Sequence, residues 1–464
     1  MTNAGVIFDR NARLTCIAII WIKVSLKKVH RMNRNAFIAS SDVAAFTDWL
    51  AEHYRSLSIR LDIKSSRFVP GGIRTDVSGL DLLRHYRWRT KGSETGNWQE
   101  TRDYLHELGD ALKRAIAGRN EDEVLDACRR VLAWGGNRND AKGAMPFLKA
   151  LHAEGKLAEY LDTSSRAFAL DVAVVDASRP QATKMNSMLT KVHALASHDG
   201  LPIYDSRVAA AIAALVELWR RSQGKTGAPL PSELAFPAIP SDRSVHSLFA
   251  DAQSPGVLSY APATAAATAA DWCSAKIRLG WLMAAVSEKA PGLFAGEAAK
   301  DRMHAFEASL FMIGYDVSCL KENAPGAGID ARQRKHIQRA GAARLRRDHA
   351  GLPRTLISTL NGKTPNISYA GNVHIGFSGV WSETPFTIDS DFLQDLLDDF
   401  PAGEEAGLGA NMTGDVEPDT LGYWINQHYP AKSRRLVSVL APILVAEGCV
   451  ESITGVYPTR LRFL

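Results

Sequence analysis

The chain of 464 residues is 46% apolar and 23% charged, with a formal net charge of +5 and five cysteines. That length and composition are typical of a globular protein with two or three domains and a sizeable core. Because the net charge is small, any nucleic-acid-binding surface must come from local clustering of basic residues. The scattered cysteines lack C-x-x-C spacing, which excludes a four-cysteine zinc or iron–sulfur site. We therefore expect no cofactor and a reducing, cytoplasmic location.

Residues 1–31 contain an apolar run at 14–22, which Lys23, Lys27 and Lys28 soon interrupt. The run is too short to span a bilayer, and no small-residue cleavage site follows it. We interpret residues 1–31 as a leader or a start-codon artefact, rather than as a membrane or export signal, and expect no membrane association.

The first two thirds of the sequence carry mainly the apolar spacing of helices. The N-cap pair Ser41-Asp42 predicts a helix over 43–61, and the Pro-Gly-Gly sequence at 70–72 predicts a loop over 64–79. Further helices are predicted at 100–117, 120–134, 144–161, 183–197, 206–222, 264–288 and 300–317. Because no clear alternation of period two occurs before about residue 355, we expect a mainly α fold in this part.

The last quarter of the sequence has a mixed pattern. Residues 366–377 are typical of strands, and an acidic amphipathic helix is predicted at 388–400, with Asp395, Asp398 and Asp399 on a solvated face. Helices at 423–427 and 436–447 and two terminal β-like runs complete a small α+β, winged-helix-like module. The predicted organisation is a leader at 1–31, an N-terminal helical region at 32–99, a helical core at 100–320, a basic connector at 321–360 and the α+β module at 361–464.

Residues 332–347 hold seven Arg or Lys side chains and no acidic residue. One interpretation is a solvated connector, which is the usual role of a charge run. The other is a phosphate-binding segment, whose contacts would be independent of DNA sequence and sensitive to salt. The candidate DNA contacts there are Arg334, Lys335, Arg339, Arg344, Arg346 and Arg347.

The segment 184–212 combines a lysine, a proline-fixed extended stretch and an aspartate at a helix start. Pro202 fixes an extended approach, and Asp205 is then placed to cap the helix that begins at Ser206. The N–H groups and the dipole at that helix end stabilise a negative charge. Lys184 lies 21 residues upstream, and an antiparallel helix pair could bring its amine close to Asp205.

This arrangement resembles the helix-hairpin-helix DNA glycosylase superfamily, in particular its 8-oxoguanine glycosylase-like branch. That branch has a Pro-Val-Asp-Thr/Ser-His-Val stretch about twenty residues after a catalytic lysine. The residues that match it are Pro202, Asp205, Ser206 and Val208, with Tyr204 as one additional residue and Arg207 in place of histidine. The resemblance covers roughly residues 100–225, and the glycines of the family's hairpin are replaced at 178–182.

A more distant resemblance involves residues 307–316 and the Trp134-Gly135-Gly136 turn. These look like features of uncharacterised bacterial proteins with the same core, some of which remove modified bases from viral DNA in anti-phage defence.

The resemblance implies a DNA glycosylase that excises a modified base. Asp205 would stabilise the oxocarbenium charge of the sugar, and Lys184 would attack C1′ in an enzyme that also nicks the strand. The alternatives are a plain helix N-cap for Asp205 and a surface lysine on an amphipathic helix for Lys184. The extruded base needs a pocket with aromatic walls. Candidates for stacking are Tyr204, Trp88, Trp98 and Trp134, for each of which core packing is the alternative. Arg138 and Arg207 are candidate DNA contacts, and for Arg207 a salt-bridge partner is the alternative.

The implied partner is double-stranded DNA, and no obligate protein partner is indicated. The second hypothesis is a non-catalytic DNA-binding protein that uses residues 332–347 and the C-terminal module. Other chemistry is excluded, because the sequence contains no HExxH, no P-loop or dinucleotide-binding fingerprint and no GxSxG.

Overall fold

The computed structural model describes most of the chain from residue 31 to its end. The described residues are 31–136, 140, 143–176, 179–238, 243–258, 265–324, 342–343, 345–362, 365–373, 375–400, 402–411, 417–429, 432–453 and 458–464. The fold is mainly α, with some small sheets, as expected. Within these residues, no helix has both the length and the apolar content needed to cross a membrane.

The helices up to residue 313 form one packed body. They are α1 Arg34–Ile38, α2 Ser41–His53, α3 Trp98–Gly118, α4 Glu121–Trp134, α5 Met145–Ala153, α6 Leu157–Phe168, α7 Leu189–Ala196, α8 Ser206–Ser222, α9 Ala265–Lys289 and α10 Arg302–Ile313. The predictions for α3, α4, α8 and α9 are confirmed to within two residues. The single helix predicted at 144–161 is wrong, because Gly155, at φ +66°, separates α5 from α6.

The helix predicted over 43–61 ends early, and a hairpin follows it. Strands β2 Ser58–Ile63 and β3 Ile73–Ser78 pair antiparallel, so the loop predicted over 64–79 is wrong for residues 73–78. Ile59, Leu61 and Ile63 point into the core while the residues between them are exposed. The alternation of period two that was not expected before residue 355 therefore occurs here.

The helix predicted over 183–197 begins only at Leu189. The side-chain Oδ1 of Asn186 accepts hydrogen bonds from the backbone N–H of Met188 at 3.0 Å and of Leu189 at 2.7 Å. Such a local side-chain bond satisfies the first N–H groups of the helix and stabilises a turn before it. Residues 183–188 are consequently irregular.

The C-terminal module contains two antiparallel sheets and three helices in the residues that the structure describes. One sheet has the order β5 Thr355–Ile357, β6 Ile367–Asn372, β7 Gly376–Trp381 and β8 Thr384–Ile388. The other has the order β10 Val450–Ile453, β11 Arg460–Phe463 and β9 Glu405–Gly407, so the predicted terminal hairpin is confirmed. The helices are α11 Ser390–Asp399, α12 Leu421–His428 and α13 Val437–Ala446. A short two-stranded sheet elsewhere joins β1 Met32–Asn33 to β4 Val174–Val175.

Two separate apolar cores hold the described residues together. The first extends from Phe37 to Ala324 and is filled by α2, α7, α8, α9 and α10 with the hairpin. The second extends from Ile367 to Phe463, where α11 and α13 pack on the two C-terminal sheets. Hydrogen bonds and ion pairs, such as those of Arg243 with Asp395, connect the two bodies.

Candidate active site

Asp205 caps the N-terminus of helix α8 and lines a small cavity between the helical body and helix α11. Its Oδ1 accepts hydrogen bonds from the backbone N–H groups of Arg207 and Val208, both at 3.0 Å. The predicted N-cap role is therefore confirmed, and such a cap contributes about 1 kcal/mol to stability. The two bonds hold the carboxylate in one orientation at the cavity wall.

The cavity beside Asp205 has a volume of about 60 Å³. Trp88, Trp134 and Phe311 supply flat apolar walls, and the indole Nε1 of Trp88 donates a hydrogen bond to the backbone oxygen of Trp134 at 3.0 Å. The buried indole N–H of Trp134 has no hydrogen-bond partner in the described part of the chain. The polar lining consists of Ser187, Lys191, Asp205, Ser206, Arg207, Glu307, Gln394 and Asp398. Aromatic walls with a few convergent polar groups are typical of a ligand site.

Lys191 is the lysine that the structure places in this cavity. It lies on α7, and its ammonium Nζ donates a hydrogen bond to the backbone oxygen of Ser187 at 3.1 Å. Burial lowers the pKa of Lys191, while the nearby carboxylate of Asp205 acts in the opposite direction. A Cβ added at Gly135 would lie 2.5 Å from Cδ of Lys191, so this glycine makes room for the lysine stem.

Glu307 places a second carboxylate at the same cavity. It lies on α10 and is 8% exposed, and its Oε2 accepts a hydrogen bond from the backbone N–H of Ile203 at 3.1 Å. His304 Nδ1 lies 3.4 Å from the same oxygen. Glu307 thus connects α10 to the extended stretch that precedes Asp205.

Arg207 lies at the boundary between this cavity and a larger one. Its guanidinium carbon is 4.6 Å from the ring centroid of Tyr315 and 5.0 Å from that of Phe311. A guanidinium over aromatic faces is favoured by cation–π attraction. One Nη of Arg207 also lies 3.7 Å from Oδ1 of Asp395 on α11. Arg207 therefore contacts the C-terminal module directly.

A buried lysine, Lys276 on α9, fixes the geometry around the cavity. Its Nζ donates hydrogen bonds to the backbone oxygen of Thr190 at 2.9 Å, to Oγ1 of Thr190 at 3.0 Å and to the backbone oxygen of Pro202 at 2.5 Å. Burial lowers its pKa to about 7. Through these bonds one side chain joins α7, which carries Lys191, to the stretch that leads to Asp205.

Lys184 and Tyr204 do not lie where their predicted roles require. Lys184 is exposed, its Nζ lies 5.5 Å from the ring centroid of Phe147, and it is absent from the lining of the cavity that holds Asp205. The structure therefore does not place Lys184 beside Asp205, whereas Lys191 lines the same cavity as Asp205. Tyr204 is buried in the core, where its hydroxyl donates to the backbone oxygen of Pro237 at 2.7 Å, so it is a packing residue and not a stacking one.

Of the remaining predicted residues, Trp88, Trp134 and Arg207 line the cavity, whereas Trp98 packs edge-on against Tyr86 in the core. Arg346 and Arg347 are exposed, and their role as DNA contacts stays a prediction. The other predicted DNA contacts, Arg138, Arg334, Lys335, Arg339 and Arg344, lie outside the described residues.

The acidic helix α11 does not present a solvated face, which corrects the prediction. Asp398 is 3% exposed and lines the small cavity, and Asp395 accepts hydrogen bonds from Arg243. Burial raises the pKa of Asp399 to about 6, although a hydrogen bond from the indole of Trp424 lowers this pKa in part. These carboxylates line a larger cavity of about 450 Å³ between the two bodies. An acidic helix faces inward here because basic residues on the helical body lie opposite it.

The described residues include no group of three or more His, Cys, Asp or Glu side chains that could hold a metal ion. Comparison with known proteins found no matching family model, no matching curated protein and no matching solved structure.

Two of the site residues that sequence reasoning missed carry a visible signal. Lys191 is a charged residue in the mainly apolar, fully buried helix α7, and Glu307 is the one acidic residue in the mainly apolar run 305–313. A charge in such a run is costly to bury, so its retention points to a paired or functional group. Gln394 and Asp398 carry no comparable signal, because the sequence does not indicate that α11 meets the helical body.

Proposed function

We propose that this chain is a DNA glycosylase that excises a modified base by cleaving its N-glycosidic bond. The observation that supports the proposal is that Lys191 and Asp205 line one cavity with aromatic walls. A base that has left the duplex stack needs aromatic faces to stack on and polar groups to read its edge. The cavity contains both kinds of group.

Asp205 supplies the fixed negative charge in this mechanism. When the bond between C1′ and the base breaks, its electron pair leaves with the base and positive charge develops on the sugar. A carboxylate that is already oriented stabilises this charge without reorganising. The N-cap bonds of Asp205 provide that fixed orientation.

Lys191 supplies the nucleophile. Its burial lowers the pKa of the amine, which increases the fraction of neutral, nucleophilic lysine near neutral pH. Attack of Nζ on C1′ forms a carbon–nitrogen bond as the base departs. After proton loss and ring opening this bond becomes a Schiff base, from which elimination can nick the strand.

The first prediction concerns base release from modified duplex DNA. Asp205→Asn keeps a side chain that can cap α8 but removes the charge, so we expect base release to fall about 100-fold or more with little loss of stability. Lys191→Gln should abolish borohydride trapping of the enzyme on DNA. Lys184→Met is the matched control, because Lys184 is exposed and absent from the cavity lining. The Lys184→Met variant should leave base release and borohydride trapping unchanged.

Unchanged base release in Asp205→Asn would show that the proposal is wrong. Mass-spectrometric mapping of the trapped adduct in the unsubstituted protein identifies the lysine independently of any folding defect, and an adduct on Lys184 would contradict the assignment to Lys191. A screen across phage DNAs with different base modifications would identify the excised base and test the proposed role in anti-phage defence.

The alternative function is DNA binding without catalysis. Exposed Arg346 and Arg347 fit either function, since both need contacts to phosphates. The alternative predicts salt-sensitive DNA binding that is unaffected by Asp205→Asn, with no base released from any modified DNA.

A further inference from the structure

The acidic helix α11 covers an arginine surface on the helical body. Arg243 donates to both carboxylate oxygens of Asp395 at 2.6 Å, and its other Nη lies 3.7 Å from Asp391. Arg207 lies 3.7 Å from the same Asp395. Arg243 and Arg207 come from separate segments of the chain, yet both face α11. We call these two residues the arginine surface.

Carboxylates recur along the covering face of α11. Asp391, Asp395 and Asp399 are four residues apart, so they lie on one side of the helix with about 6 Å between successive positions along its axis. A guanidinium pairs with a carboxylate and with a phosphate in the same two-pronged geometry. Two of these carboxylates, Asp391 and Asp395, therefore present successive anions to the arginines, as neighbouring phosphates of a nucleic-acid backbone do.

Helix α11 also closes the candidate active site. Gln394 and Asp398 form part of the wall of the 60 Å³ cavity. A Cβ added at Gly136 would lie 3.4 Å from Oδ1 of Asp398, so this helix packs closely on the turn that follows α4. Pockets that bind small molecules usually measure about 300–1,000 Å³. A base therefore needs α11 to move before it can enter.

The contact of α11 with the helical body is suited to release. The two apolar cores share no member among the described residues, and ion pairs and hydrogen bonds join α11 to the helical body. Buried ion pairs add little net stability, because desolvation of the charges offsets their attraction. If DNA phosphates replace the α11 carboxylates, the two arginines have an anionic partner both before and after the exchange.

We propose that the arginine surface of Arg207 and Arg243 binds the nucleic-acid backbone, and that α11 occupies this surface as a phosphate mimic until DNA displaces it. The proposal rests on the proposed function in that it takes DNA as the ligand. It adds a second role for the C-terminal module, which keeps the site closed when no DNA is bound.

The test measures DNA affinity rather than catalysis. All proteins carry Asp205→Asn, so that bound DNA is not processed, and binding of a labelled duplex is followed by fluorescence anisotropy. The double substitution Asp391→Asn with Asp395→Asn should tighten DNA binding about tenfold, because the competing anions are gone. The matched control, Glu404→Gln with Glu417→Gln, removes the same charge from exposed positions and should change affinity less than about twofold. Arg243→Gln should weaken binding.

A second measurement uses α11 with its own carboxylates intact. Hydrogen exchange of backbone amides in Ser390–Asp399 should become faster when DNA is added, while exchange in the buried helix Val437–Ala446 stays unchanged. Weaker binding by the double variant together with slower exchange in α11 would mean that the helix is part of the DNA-binding surface, and would overturn the proposal. Absence of DNA binding in every variant would overturn it as well. Tighter binding by the double variant, with no base released from any modified DNA by the protein that retains Asp205, would refute the glycosylase function alone.

Discussion

Lys184 and Lys191 are seven residues apart, and only the second lies beside Asp205 in the cavity. Both are lysines within one predicted helix, so residue type and spacing do not separate them. Their environments do, because Lys191 is buried among the groups that line the cavity while Lys184 is exposed to solvent. Burial changes the chemistry of an amine by disfavouring its charged form, and the burial of a particular lysine is a property of the packed helices.

His193, two residues further along α7, is fully buried against Tyr160 and Phe168. Neither ring nitrogen has a hydrogen-bond partner among the described residues, and burial lowers the pKa of His193 to about 3. The unfolded chain binds a proton below a pKa of about 6.5, whereas the folded chain does not until about 3. Stability is therefore lost as the pH falls from about 6.5 towards 3.

The second prediction follows from this difference. From pH 7 to pH 5 the unsubstituted protein should lose about 2 kcal/mol of unfolding free energy through His193. His193→Leu should remove that part of the loss, which urea denaturation at the two pH values measures. His198→Leu, at an exposed position, is the control and should leave the loss unchanged. An equal loss in His193→Leu and the unsubstituted protein would mean that this imidazole is not the titrating group.

At the scale of elements, α7 and the stretch before α8 are held together by hydrogen bonds of Lys276 and Thr190. Lys276 bonds to Thr190 on one side and to Pro202 on the other, and Oγ1 of Thr190 also accepts from the backbone N–H of Tyr204 at 3.0 Å. The relative position of Lys191 and Asp205 thus depends on a residue of α9 that is distant in sequence.

The third prediction is that Lys276→Met lowers the free energy of unfolding by about 2 kcal/mol, since it leaves buried carbonyl oxygens without their donor. Base release should fall too, although Lys191 and Asp205 are unchanged, because their separation is no longer fixed. Denaturation by urea and a base-release assay measure the two effects. Lys300→Met, at an exposed position, should alter neither. If Lys276→Met matches this control in both assays, Lys276 does not position the site.

Helices and strands were predicted accurately where signals in the neighbouring sequence specify them, and poorly where tertiary contacts specify them. Helix α8 could be predicted to the residue, since Asp205 caps it and its own alanine-rich sequence favours a helix. The hairpin at 58–78 could not, because its strands are short and follow a helical pattern without a break. Ile59, Leu61 and Ile63 favour a strand only because their side chains pack into the core, and the local sequence does not show that packing.

At the scale of the whole molecule, the charge that binds DNA in the proposed function comes from separate parts of the chain. Arg346 and Arg347 are exposed near the start of the C-terminal module, and Arg207 and Arg243 lie beneath α11. A net charge of +5 does not reveal such a distribution, because 50 acidic residues offset most of the basic ones.

The fourth prediction concerns the salt dependence of DNA binding. Replacing Arg346 and Arg347 by alanine should reduce the slope of log K against log salt by roughly two units, one for each phosphate that the protein no longer neutralises. Base release at saturating enzyme should not change, since both residues lie outside the cavity lining. Arg114→Ala, at an exposed position on α3, is the control and should leave the slope unchanged. An unchanged slope in the double variant would favour the interpretation of residues 332–347 as a solvated connector.

The sequence alone determined the features that depend on neighbouring residues. Helix caps, apolar periodicity and proline predicted a mainly α fold, the helix after Asp205, the strands within 366–377 and the terminal hairpin, because local hydrogen bonds and side-chain spacing specify them. The tertiary structure decided which lysine faces Asp205, that Glu307 joins them, and that an acidic helix closes the cavity. Each of these is a contact between segments far apart in the chain, and such a contact exists only when the packed cores bring buried charges together.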